Sequence, residues 1–151
     1  MSRRETDMTL WYWDQRGGTL VEEFLVVPMS PNTGRRLIDG LIVLGEEKRR
    51  LPPGGRTINI AGRDVVAIQT KNSRLGMNLM GQTIFTAKLL EAHRPKSIES
   101  VALCAKDDVR LRPMLEAYPG CKVVICPSEI CQLPARSSGR AKQRRVAERG
   151  R

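Results

Sequence analysis

Residues 62–73 read GRDVVAIQTKNS, and the reading of this stretch decides how the segments around it are arranged. Side chains alternate faces along a strand, so Val65, Ala67, Gln69 and Lys71 share one face while Val66, Ile68 and Thr70 share the other. The first face therefore runs from apolar core into an amide and an ammonium at its far end. Upstream, TINIAGR (57–63) is also apolar and places Gly62-Arg63 at a turn, so 57–71 reads as a hairpin of two antiparallel strands.

Working outward, RRLIDGLIVLG (35–45) has the length and branched content of a strand, interrupted by Asp39-Gly40. Before it, GGTLVEEFLVV (17–27) carries Leu20, Val21, Phe24 and Val27 around the pair Glu22 and Glu23, after a Thr suited to capping. That spacing predicts a short amphipathic helix ended by Pro28. EEKRRLPPGGR (46–56) is polar and rich in Pro and Gly, and reads as a loop. Downstream, a helix is expected from Met77 to His93, stopped by Pro95. A strand (SIESVALCA), a second helix (KDDVRLRPMLEAYPG) and a last strand (CKVVIC) follow it. Alternating helix and strand after residue 72 implies parallel crossovers. The expected fold is α/β, a mixed central sheet flanked by helices, in a single domain spanning 1–132.

The 151 residues carry a net charge of +10, which calls for an acidic partner. Seven Lys or Arg and one Glu between 133 and 151 put +6 of that charge at the C-terminus. That segment is nearly free of apolar residues and is expected to be a disordered basic tail. No apolar run approaches a membrane span or a signal peptide, so the expectation is a cytoplasmic protein without a membrane partner. Aromatic residues make up 4% of the chain, too few for extended base-stacking platforms, and Trp11 and Trp13 are expected to pack over the sheet edge. Cys104, Cys121, Cys126 and Cys131 lack a C-x2-C knuckle and a nearby His, so they read as buried thiols in preference to a zinc staple.

Asp39 inside an apolar strand is costly unless it meets a cation or solvent. If its strand pairs with the one ending in Gln69 and Lys71, these three converge at one sheet edge, with Glu22 or Glu23 available to close the cluster. A carboxylate, a side-chain carbonyl and a second carboxylate form a hard-oxygen set suited to Mg²⁺ or Mn²⁺. Such an ion activates water and neutralises charge on a phosphate, while a lysine beside it orients the water or stabilises the transition state. That is chemistry for phosphodiester hydrolysis.

In this pattern the chain resembles the PD-(D/E)xK nuclease superfamily, over roughly residues 17–105. The resemblance implies a restriction-endonuclease-like α-β-β-β-α-β core, here followed by a C-terminal α-β unit. It implies Asp39 as a metal ligand, Gln69 at the second ligand position, Lys71 as the catalytic lysine and a helix glutamate at Glu22 or Glu23. Gln82 falls where some branches carry a glutamine close to the site. Ile38 replaces the proline of the motif, and Gln69 replaces a carboxylate, as in the modification-dependent restriction enzymes with Gln-x-Lys. The implied function is a Mg²⁺- or Mn²⁺-dependent endonuclease acting on DNA, with RNA as the other phosphodiester substrate and with pairing into homodimers to cut two strands. Candidate nucleic-acid contacts are Arg35, Arg36 and Arg74 on the body, and Arg140, Lys142, Arg144 and Arg145 in the tail. Two competing expectations are a nucleic-acid-binding protein that keeps this fold without the chemistry, and an interaction protein with a zinc-stapled C-terminus.

Overall fold

The computed structural model describes residues 1–131, so the expected tail, with Arg140, Lys142, Arg144 and Arg145, lies outside the described residues. In chain order the elements are α1 (Arg3–Arg16), β1 (Thr19–Val27), β2 (Arg36–Val43), β3 (Arg49–Leu51), β4 (Asp64–Arg74), α2 (Met77–Leu90) with a 3-10 turn at Glu91–His93, β5 (Ser97–Lys106), α3 (Leu111–Glu116), β6 (Cys121–Ile125) and α4 (Ser128–Cys131). The six strands form one mixed sheet in the order β3-β1-β2-β4-β5-β6. Strand β2 is antiparallel to both of its neighbours, and the remaining pairings are parallel. The expected α/β class with a helix-flanked mixed sheet holds.

Three expectations are overturned. Within the expected 17–27 helix, Thr19–Val27 form a strand. Strand β1 is buried on both faces, and Glu23 has φ +52°, a left-handed residue that breaks the period-two alternation. Val21 and Phe24 thus share one core cluster three residues apart, which imitates helical spacing. The first helix is instead the polar segment 3–16. Ser2 and Glu5 close a reciprocal capping box at its start, and the helix buries only Met8, Thr9 and Tyr12. Gly17 and Gly18, both at positive φ, then turn the chain into β1, and a Cβ on Gly18 would stand 2.5 Å from the Val43 carbonyl oxygen.

The 57–71 hairpin does not form either. Both edges of β4 are taken, by β2 on one side and β5 on the other, so TINI has no ladder to join. It runs beside the end of β1, where Leu25 N–H donates to the Arg56 carbonyl, and it contributes Ile58 and Ile60 to the core. Within the expected 46–56 loop, Arg49–Leu51 adds the edge strand β3, parallel to β1.

Helices α1 and α4 cover the face that carries Leu20, Ile42, Val66, Ile68, Val101 and Leu103. On the other face, α2 and α3 cover Val65, Ala67, Ala102, Cys104 and Val123. The two-face assignment of β4 made from its alternation is therefore the one the packing uses. Trp11 and Trp13 pack against the α1-side core, and Trp13 Nε1 donates to the Gly18 carbonyl at 2.8 Å. All four cysteines are free and buried. Burial pushes the Cys104 thiol up to about 11 and the Cys126 thiol up to about 12, which suits small apolar side chains. His93 does not bond its own helix end; its Nε2 lies 2.9 Å from the Val26 carbonyl, and its ring meets Phe24 edge-on.

Candidate active site

The β2–β4 ladder ends at the pair Gly40–Ile68. Beyond it Asp39 replaces the backbone as acceptor: Thr70 N–H donates to Asp39 Oδ2 at 2.8 Å. The two strands separate there, and a cleft of about 500 Å³ opens at the carboxyl end of β4, between the start of α1 and the length of α2. Asp39, Gln69, Lys71 and Gln82 all line it, so four of the six expected site residues come together. Open α/β sheets characteristically bind ligands at this end of their strands.

Asp39 and Gln69 are each held by a definable contact. Gln69 is 6% exposed, and its Nε2 donates to Thr86 Oγ1 of α2 at 2.7 Å. That bond fixes the amide, and among the described residues no donor bonds Gln69 Oε1, which is left to serve the cleft. Thr70, on the opposite face, shares a 2.8 Å hydrogen bond with Thr9 of α1. Helix α1 can come this close because residue 40 is glycine, where a Cβ would meet Thr9 Cγ2 at 2.9 Å. Asp39-Gly40 is thus a continuous piece of strand shaped by a helix crossing. Lys71 and Gln82 are exposed at the mouth, beside the apolar rim of Phe85, which is 67% exposed.

Burial raises the Asp39 carboxyl above its ordinary range, the Thr70 N–H opposes the shift, and the negative charges of Glu5 and Glu23 add to it. Glu5 is the acid that the sequence reading missed. It sits in the first turn of α1 and lines the cleft, with Oε2 accepting from Ser2 N–H at 3.3 Å. Its signal was legible in SRRE, a capping-box pattern that announces a helix start. Thr86 had only its i+4 spacing from Gln82 to mark it.

Glu22 is corrected. It is 2% exposed, pairs across the ladder with Gly40 and so lies on the α1 face, and its carboxylate is engaged by Arg50 through bonds of 2.7 and 3.2 Å. Glu23 is half-buried at the kink and reaches Asp39 through its field. Among the described residues no three His, Cys, Asp or Glu side chains form a preformed metal cage, at the cleft or among the cysteines. The donors at hand are the Asp39 carboxylate and Gln69 Oε1, with Glu5 and Glu23 nearby; among the described residues no side-chain cation pairs with Asp39, and the N-terminal amine acts on it through its field. This mixed oxygen set fits an ion that keeps most of its waters, and a divalent cation would offset the burial and the negative field of Glu5 and Glu23 that raise Asp39.

Of the expected nucleic-acid contacts, Arg36 lines the cleft and Arg74 lines two grooves beyond it. Arg35 lies over the 52–63 segment, where its guanidinium occupies the space of a Gly55 Cβ. Among the described residues no helix is long and apolar enough to cross a membrane. No family model matches the chain, and neither a curated protein nor a solved structure matches it.

Proposed function

We propose that this protein is a metal-dependent nuclease that hydrolyses phosphodiester bonds in DNA. The observation that carries the reading is the convergence of Asp39, Gln69, Lys71 and Gln82 on one cleft where β2 and β4 part. The order α1-β1-β2-β4-α2-β5, with β3 as an added edge strand, also fits the core that the PD-(D/E)xK resemblance implies. In it Glu5 takes the place of the helix glutamate expected at Glu22 or Glu23.

Asp39, held by Thr70 N–H, and Gln69 Oε1, held through Thr86, would ligate Mg²⁺ or Mn²⁺, with Glu5 and Glu23 adding negative field. Bound there, the cation supplies Lewis acidity and lowers the pKa of coordinated water. Lys71, exposed at the mouth, holds the attacking water in line and donates to the phosphate as negative charge builds on its oxygens. The water oxygen bonds to phosphorus, one ester P–O bond breaks, and the products are a phosphate monoester and a free hydroxyl. A homodimer would bring two such clefts to the two strands of a duplex.

Nicking of supercoiled plasmid in Mg²⁺ and Mn²⁺ tests this reading. Lys71→Ala should lower the rate by about 10²–10⁴-fold at matched DNA affinity. Glu5→Gln should lower it as well, whereas Glu22→Gln should not. A well-folded wild type that cuts neither duplex, single-stranded nor branched DNA would sink the enzyme. A second reading, a nucleic-acid-binding protein with this fold, is favoured by the neutral Gln69 and the absence of an acid triad among the described residues. It expects DNA binding indifferent to chelator and no Mn²⁺ binding lost in Asp39→Ala.

A further inference from the structure

The cleft is the first of three connected concavities. A second, of about 440 Å³, begins at Lys71 and Gln82, which it shares with the cleft, and passes Asn78 at the start of α2 to Ser73 and Arg74. A third, of about 510 Å³, shares Ser73 and Arg74 with the second and continues to Lys106, Arg4, Asn72 and Ser128. The β4–β5 register shifts between Lys71 and Arg74, a bulge that lets two side chains three residues apart serve the same groove.

The chemistry of this path is one-sided. Among the described residues no carboxylate and no aromatic ring lines the second or third groove. Among the described residues, Lys71, Arg74, Lys106 and Arg4 make no ion pair, which they share with other surface cations such as Arg49 and Lys96; what sets them apart is that they line adjoining grooves. Two of these cations are aimed by backbone carbonyls: Arg74 Nη1 donates to the Asp107 carbonyl at 2.6 Å, and Arg4 Nη1 to the Cys131 carbonyl at 3.0 Å. Guanidinium and ammonium groups, two hydroxyls and three amides without rings suit phosphate and sugar, which fix register, rather than base faces.

Resting on the nuclease reading, we propose that the sugar-phosphate backbone on one side of the reacting phosphate runs from the cleft over Lys71 into the groove of Arg74, Lys106 and Arg4. Lys71 and Arg74 stand at most about 10 Å apart along β4, about three nucleotide steps of duplex rise. The site would therefore be directional, with phosphates held firmly on the Arg74 side and no comparable contact at the Asp64 end of the sheet.

The test is fluorescence anisotropy of a labelled DNA duplex with the full chain in EDTA, over a series of salt concentrations, with a matching RNA duplex as a second probe. Arg74→Ala/Lys106→Ala should flatten the slope of log K against log salt by about 1–2, since each phosphate contact is worth about 0.9. Arg49→Ala/Lys96→Ala removes two exposed charges at the opposite end of the sheet and should leave the slope at its wild-type value. A wild-type slope in the first variant, or equal flattening in both, overturns the track. Plasmid nicking run in parallel separates the two claims. Nicking with an unchanged slope sinks the track alone, a track-dependent slope without nicking sinks only the nuclease, and no binding by the wild type sinks both.

Discussion

The two ends of the central sheet are built by the same strands and treat charge in opposite ways. At the Asp64 end, Arg63 pairs with Glu46, Lys48 pairs with Asp14, and Ser97 donates to Asp64 at 2.5 Å. At the Lys71 end, Asp39 is held by a backbone N–H and the field of the N-terminal amine with no ion pair among the described residues, and Lys71, Arg74 and Lys106 line grooves whose described lining holds no acid. At the first end several charges are matched within the chain, although Arg49 and Lys96 there make no ion pair among the described residues; at the second, the cations that line the grooves are left without one. Surface pairs of the first kind contribute little to stability, so leaving such pairs unmade costs little. A half-buried Asp39 with no ion pair among the described residues does carry a cost, as the raised carboxyl shows.

Substitutions can break or sharpen that contrast. The largest effect is expected from Arg50→Ala, which strands Glu22 as a buried carboxylate at the edge of the closed body. Arg50 is itself 45% exposed, so the loss should be about 2–3 kcal/mol, under the figure of about 3–5 for a fully buried pair. Urea unfolding checks it: adding Glu22→Gln should recover most of the loss, and nicking per folded molecule should not change. Reduced nicking at full folding would return Glu22 to the site.

Gly40→Ala should come next, at about 1–2 kcal/mol, because the new Cβ presses on a Thr9 that is buried and cannot yield. Thr9→Ser removes the methyl it meets, and a double-mutant cycle should show favourable coupling between the two changes. Additive losses would mean that the α1 crossing does not explain the glycine.

The smallest effect has the opposite sign. The folded state holds the Asp39 proton more tightly than the ordinary carboxylate value of 3.8, so the ionised group opposes folding. Its contribution to stability is therefore greatest below that value and is lost as pH rises through the raised one. Asp39→Asn keeps an acceptor for Thr70 N–H and should be more stable than the wild type at neutral pH. Mn²⁺ should stabilise the wild type and leave this variant unmoved, as read from urea midpoints with and without the ion. A variant less stable than the wild type at pH 7 would remove the contrast between the two ends.

Local pattern made much of the fold legible. The alternation in VVAIQTK assigned both faces of β4, and RLIDGLIV, α2 and β5 followed from length, branched content and Pro95. The errors have physical sources. Strand β1 imitated a helix because burial on both faces and the left-handed Glu23 put apolar residues at spacings of one, three and three. Helix α1 was overlooked because two of its three buried residues are Thr9 and Tyr12, so it shows almost no apolar stripe, although its cap was written in SRRE. The TINI hairpin failed because strand pairing is settled by which edges remain free, and β4 had none.

By itself the sequence determined the chemical inventory: a strand that ends in Gln-x-Lys, an aspartate inside a second strand, four small apolar thiols and an excess of positive charge. Only the tertiary structure decided which acid accompanies Asp39. Glu22 and Glu23 are adjacent in sequence, yet the antiparallel register turns Glu22 toward α1 and Arg50, while Glu5 reaches the cleft from a helix more than thirty residues away from Asp39. The same holds for Thr86, which orients Gln69, and for Gly40, which admits α1. Periodicity is a property of neighbours along the chain. A site is assembled from the ends of elements that meet in space, and sheet register and helix crossing set which ends meet.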